Sequence, residues 1–181
     1  LGLGDTNKRG DGAGEMGDNL PAVELGTGRT ATSITTGVGH TCVQLDDNNV
    51  KCWGSGDSGQ MGNGKTISLG DGAGEMGDNL AAVELGTGRT ATAIVAGYNH
   101  TCAILDDSSI KCWGLNDSGQ LGIGDTSNRG DGVNNIGLSQ MGDNLPAIDL
   151  GSSGRTATVS TLSLSGIDNS TSVNFEKMTS S

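Results

Sequence analysis

Six side chains in this sequence could do chemistry: Cys42, Cys52, Cys102, Cys112, His40 and His100. Thiolates and imidazoles bind zinc or act as nucleophile and base, and thiols also close disulfides. Spacing separates these uses. A zinc site needs four converging ligands, usually with one closely spaced pair, and here nine residues intervene within each cysteine pair. The two histidines are the only ones and stand in identical settings, whereas a general base is seldom duplicated together with its whole strand. Ser-His-Asp chemistry lacks a nucleophile elbow. A catalytic reading is therefore disfavoured, and three readings remain for the thiols: disulfides, metal ligands or packed free thiols.

The elements that must position these residues occur twice, sixty residues apart (His40 to His100). One copy runs Gly97-Tyr98-Asn99-His100-Thr101-Cys102-Ala103-Ile104-Leu105, then Ile110-Lys111-Cys112-Trp113-Gly114 and Gly119-Gln120-Leu121-Gly122. The other runs Gly37-Val38-Gly39-His40-Thr41-Cys42, then Val50-Lys51-Cys52-Trp53-Gly54 and Gly59-Gln60-Met61-Gly62. A fixed period of this size signals stacked supersecondary units. Side chains alternate along a strand, so Cys102 and Ile104 share one face and Thr101, Ala103 and Leu105 the other. With Asp106-Asp107-Ser108 as a three-residue hairpin loop, Ile104 faces Ile110 and Cys102 faces Cys112. The same register sets Cys42 opposite Cys52 and puts Asn48 at the third loop position, where a left-handed backbone is expected. Opposed cysteines in one hairpin make disulfides within that hairpin, 42 to 52 and 102 to 112, the expected outcome in an oxidising compartment.

Between the hairpins lie Gly- and Asp-rich stretches, residues 5 to 20, 65 to 80 and 125 to 145, including Glu15-Met16-Gly17-Asp18-Asn19-Leu20 and its copy from Glu75. Too few apolar residues occur there for a helix or a buried strand, so long, largely uncovered surface loops are expected. Ala22-Val23-Glu24-Leu25, Ala82-Val83-Glu84-Leu85 and Ala147-Ile148-Asp149-Leu150 alternate as short strands. With a further strand at Ser33-Ile34-Thr35 or Ala93-Ile94-Val95, each unit holds four short strands and no helical period, which gives an all-β class. The third unit departs from this plan: about five residues are inserted around 133 to 139, and after Arg155-Thr156-Ala157-Thr158 no His-Thr-Cys hairpin follows. Residues 159–181 form a Ser/Thr-rich tail or the start of another segment, with Leu162 and Leu164 alternating against serine.

The Gly-x-x-His, Cys-Trp-Gly and Gly-Gln-Leu-Gly elements, recurring in this order, resemble the regulator of chromosome condensation repeat family over roughly residues 1 to 158. The resemblance implies β-propeller blades: a partial blade at 1–36, a blade at 37–96 and a blade with a loop insertion at 97–158. Too few are present to close a ring, so the remaining blades are expected on a longer chain. It also implies structural roles for His40, His100, Trp53, Trp113, Gly59 and Gly119. The family includes exchange factors for small GTPases, chromatin-bound proteins, ubiquitin ligases and bacterial secreted proteins, and the paired cysteines look most like the bacterial and extracellular members.

Composition limits the partners. Ten Lys plus Arg against 21 Asp plus Glu give a net charge of −11, which repels nucleic acid and anionic lipid. No apolar run approaches the ~20 residues of a membrane span, so no membrane insertion is expected. Asp11, Glu15, Asp18, Asp71, Glu75, Asp78, Asp131 and Asp143 are the candidate contacts of a binding face built from the loops. Asp5, Asp11, Glu15 and Asp18 also supply hard oxygen ligands of the kind calcium takes, although an EF-hand frame from Asp5 fails at Arg9 and Met16. Gly12-Ala13-Gly14-Glu15-Met16-Gly17 spells a dinucleotide fingerprint but lacks its strand and helix, and its acidic neighbours repel a pyrophosphate. Arg9-Gly10-Asp11 and Arg129-Gly130-Asp131 spell an adhesion tripeptide that the middle copy, Leu69-Gly70-Asp71, does not keep. The expectation is a non-enzymatic module without cofactor, binding another protein or a glycan, outside the cell or on its surface. The alternatives are a cytoplasmic location, a propeller that exchanges nucleotide on a small GTPase and, third, an enzyme housed in a propeller.

Overall fold

The computed structural model describes residues 1–132 and 139–151. Two sheets of three antiparallel strands each carry the period: β1 (Ala31–Thr36), β2 (His40–Leu45) and β3 (Val50–Gly54), then β4 (Ala91–Ala96), β5 (His100–Leu105) and β6 (Ile110–Gly114). The hairpin pairs are Cys42 with Cys52 and Cys102 with Cys112, with Ile104 opposite Ile110, which is the register the alternation demands. Asn48 and Ser108 adopt φ of 63° and 67° and end the three-residue loops. Asp47 and Asp107 accept the amides of Asn49 and Ser109, which lets the short turn reverse without orphan donors. One residue of β1 and of β4 bulges, between Ala31 and Ser33 and between Ala91 and Ala93, and the bulged Thr92 donates its hydroxyl to Ile104 O.

Both sheet faces are apolar because each sheet packs between neighbours. The disulfide face of the first sheet (Cys42, Val50, Cys52) meets the opposite face of the second (Ala103, Leu105, Trp113) in one buried cluster, with β4 lying along β1 and β2. Trp113 is 0% exposed there. Val43, Leu45 and Trp53 pack under the segment from Val23 to Leu25, and Cys102, Ile110 and Cys112 pack with Leu121, Ile148 and Leu150. This stacking makes the two sheets consecutive propeller blades; two blades do not close a ring.

Two expectations for the intervening segments change. The stretches at 22–25, 82–85 and 147–150, expected as strands, join no ladder; Val83 N donates to Val50 O and Ile148 N to Ile110 O, one bond each. The positions beside β3 and β6 are held instead by isolated bridges, Gly54 with Leu69 and Gly114 with Arg129. The Gly- and Asp-rich stretches are likewise not wholly superficial. Each winds one 3-10 turn, Gly17–Asn19, Gly77–Asn79 and Gly142–Asn144; Leu80 is buried against Val43, Leu45 and Trp53, and Met141 and Leu145 in the cluster between the two sheets. A lone apolar residue beside a single turn has no period to betray it. The expectations for the inserted residues 133–138 and for the tail lie outside the described residues.

Candidate functional site

The repeated motif residues converge on the junction between blades, where they do structural work. Gln60 O accepts hydrogen bonds from the Trp113 indole Nε1 (3.0 Å) and the Thr101 hydroxyl (3.1 Å), while Gln60 Oε1 accepts Ser58 N within its own turn. His40 Nε2 lies 2.9 Å from Thr101 Oγ1. His40 and His100 are buried, and burial pulls both imidazoles down, that of His40 to about 4. Gly59 holds φ of 81°, and a Cβ there would stand 2.5 Å from Asp131 N, so the next repeat's loop rides directly on its backbone. Gly119, its copy, also has positive φ but meets nothing within 4 Å among the described residues.

Disulfides join Cys42 to Cys52 and Cys102 to Cys112, each across a sequence separation of 10 with Cα atoms 4.1 Å apart. The pairing follows from the ladder. Leu45 and Asn49 flank the loop as a hydrogen-bonded pair, and alternation makes 42 with 52 a non-hydrogen-bonded pair, the close kind that a disulfide fits.

The acidic loop residues divide into two sets. Glu15 Oε2 accepts the amides of Gly10, Asp11 and Gly12 at 2.9, 3.1 and 2.8 Å, and Glu75 Oε2 accepts Gly70 and Gly72 at 2.8 Å each. These backbone bonds hold both carboxyls below their ordinary range. Asp78 accepts the amide and hydroxyl of Thr27 across repeats (2.8 and 2.6 Å), and Asp143 does the same for Thr87. Their carboxyls are lowered chiefly by those hydroxyl bonds. Of the residues expected as partner contacts, Glu15 and Glu75 thus commit Oε2, and Asp78 and Asp143 both carboxylate oxygens, to shaping the loops. Asp11, Asp18 and Asp71 stay exposed and Asp131 half-exposed. An open polar depression of about 580 Å³ is lined by Asn7, Lys8, Arg9, Asp11, Glu15 and Asn19.

The same division bears on metal and adhesion. Asp5 is tied to Arg9 at 2.7 Å, which holds its carboxyl low, and among the described residues no three His, Cys, Asp or Glu side chains converge as a metal would require. Arg9 and Arg129 of the Arg-Gly-Asp triplets are each ion-paired four residues back, to Asp5 and Asp125. In the middle copy both partners change together, to Lys65 and Leu69, and Leu69 packs in the core instead.

Sequence reasoning missed the lysines. Lys51 Nζ donates to Leu25 O and Gly77 O at 2.8 Å each, and Lys111 Nζ to Leu85 O and Gly142 O at 2.9 and 2.8 Å. Each ammonium clamps the 3-10 turn of one repeat to the extended segment before it. The available signal was their recurrence at the sixty-residue period.

Comparison with known proteins fits this geometry. The model of the regulator of chromosome condensation (RCC1) repeat matches residues 31–60 and 91–120, each spanning one sheet and its Gly-Gln turn. The ultraviolet-B receptor UVR8 of Arabidopsis thaliana is 28% identical over 126 residues, 69% of this chain and 27% of that protein. The human E3 ubiquitin-protein ligase HERC2 is 29% identical over 127 residues, 70% of this chain and 2% of that protein. The chain therefore spans about a quarter or less of the length of these curated relatives. Among solved structures, human WBSCR16 aligns with a TM-score of 0.44 and 18% identity over 57% of this chain and 25% of its own. Prp20p of Saccharomyces cerevisiae, studied with Gsp1p and histones, aligns with a TM-score of 0.46 and 16% identity over 59% and 26%. With both hairpins, the His-Thr junction and the Gly-Gln turns in place, residues 31–60 and 91–120 of this chain are two repeats of the regulator of chromosome condensation type.

Proposed function

We propose that this chain is a non-enzymatic recognition module whose Gly- and Asp-rich loops bind a protein, with a glycan as the second ligand class. The observation that carries this reading is the division of the acidic residues. Glu15, Glu75 and Asp78 fix the loop shapes from within, and Asp11, Asp18 and Asp71 are left with carboxylates facing water. A pre-shaped loop loses little entropy on binding, and exposed carboxylates on a chain of net charge −11 favour a basic partner surface. Two disulfides fit work outside the cell or at its surface.

The test is charge reversal. Asp11→Lys, Asp18→Lys and Asp71→Lys combined should abolish retention of a basic protein from native extract, and binding on a glycan array, while leaving the melting temperature unchanged. Retention that survives the triple variant would sink the loop reading. Accelerated nucleotide release from a small GTPase, unaffected by these changes, would favour the exchange-factor alternative.

A further inference from the structure

Asn63-Gly64 is the one place in the chain where an asparagine precedes a glycine. The pair lies on the seam between two repeats. Gly64 N donates to the carbonyl of the buried Gly130 in the next repeat at 3.1 Å, as Gly4 N donates to Gly70 O one period earlier. Asn63 is half-buried, and its Oδ1 accepts Lys65 N at 3.0 Å, which fixes the carboxamide. The turn that leads to the pair is seated on the following repeat: a Cβ at Gly62 would stand 2.8 Å from Trp113 Nε1, and one at Gly59 2.5 Å from Asp131 N. The other copies hold Leu3 and Ile123 at this position, and neither side chain carries a carboxamide.

Glycine has no Cβ to hinder its own amide, so in an Asn-Gly pair the glycine nitrogen can reach the asparagine Cγ. We propose that Asn63 is a modification site, deamidated through Gly64 N at a rate set by the opening of this seam. Solvent base removes the proton of Gly64 N and the nitrogen bonds to Asn63 Cγ; the Cγ–Nδ2 bond breaks, and the amino group takes up a proton and leaves as ammonia. Water then opens the succinimide, at Cγ to give aspartate or at the main-chain carbonyl to give isoaspartate, and nothing is oxidised or reduced. In the closed seam the Gly64 proton is committed to Gly130 O, so the nitrogen becomes a nucleophile only when that bond opens. Either product puts a carboxylate at a half-buried position. Isoaspartate also lengthens the main chain by a methylene, so that Gly64 N no longer returns in register to Gly130 O. Asn63 is thereby a one-way mark of how often the two repeats have parted.

The test uses the full 181-residue chain with its disulfides intact, held at mildly alkaline pH. Mass spectrometry of the tryptic peptide from Cys52 to Lys65, in which Asn63 is the only asparagine, reads the product after reduction. The chain unfolded in guanidinium chloride should deamidate there many-fold faster than the native chain. Gly59→Ala, whose Cβ displaces the next repeat's loop, should speed the native reaction several-fold with the tryptophan emission unchanged. If that variant does not fold, the wild type in guanidinium below its unfolding transition decides: exchange of the Gly64 amide and deamidation should rise together. Native and unfolded chains reacting at one rate, a folded Gly59→Ala reacting at the wild-type rate, or deamidation that stays flat while Gly64 exchange rises would each overturn the proposal.

Discussion

His40 donates from Nε2 to Thr101 Oγ1 across the blade junction, and the direction of that bond is fixed by a third group. The Thr101 hydroxyl hydrogen is committed to Gln60 O, so its oxygen can only accept from the imidazole. His40 is therefore the Nε2–H tautomer, and its Nδ1 is a buried acceptor without a partner among the described residues.

Acid should weaken the fold through this histidine. Burial lowers the His40 pKa from 6.5 to about 4, so between those values the unfolded chain takes up a proton that the folded one refuses. Stability is thus constant above pH 6.5 and declines as pH falls toward 4, by about 3 kcal/mol in total. Urea titrations from pH 7.5 to 4 should show the decline, and His40→Gln should reduce it to the share contributed by His100, whose imidazole burial also lowers. The carboxyls of Asp78 and Glu75, lowered in the folded state, contribute their own loss only as pH falls through their ordinary range and below it.

Trp113→Ala should cost about 3 to 5 kcal/mol, since the ring is wholly buried between blades and its removal leaves a cavity. Trp113→Phe should recover part of the loss, because Gln60 O keeps the Thr101 hydroxyl. Equilibrium unfolding of both variants measures this. A wild-type emission maximum at the fully hydrated position would contradict the placement.

Each disulfide closes a short loop and should contribute about 2 to 3 kcal/mol. Peptide mapping without reduction should find 42 to 52 and 102 to 112 and no cross-links. A 52 to 102 bond would place cysteines of different blades side by side and refute the register.

Lys51→Met keeps the aliphatic stem but leaves Leu25 O and Gly77 O without their donor, and should destabilise by about 2 to 3 kcal/mol. Faster amide exchange in the 3-10 turn Gly77–Asn79, with the β2–β3 ladder unchanged, would locate the effect. Uniform acceleration would instead mean that the lysine holds the blade itself.

What could be read from the sequence was whatever repeats with a period of two. Strict alternation with apolar residues on both sides made register, faces and cysteine partners legible around Cys102 and Ile110, because a one-residue slip would scatter them. Leu80, Met141 and Leu145 were not legible: each is a single apolar residue among glycines and aspartates, buried by residues distant in sequence, Leu80 against Val43, Leu45 and Trp53 and the other two in the cluster between the sheets. Lys51 and Lys111 looked like solvated charges because their acceptors are backbone carbonyls of other repeats, which carry no residue signature. The carboxylates misled for the same reason, since Glu15 is bound by amides that any sequence would offer.

The lysine clamp also constrains how such a chain can change in length. Lys51 reaches back to Leu25 and forward to Gly77, and Lys111 reaches Leu85 and Gly142, so each ammonium straddles the seam between periods. Recombination that adds or removes one whole period, wherever the crossover falls, hands every lysine an equivalent pair of carbonyls. A crossover out of phase strands an ammonium and two carbonyls at once. Selection on these arrays therefore acts on phase and leaves the position of the cut free.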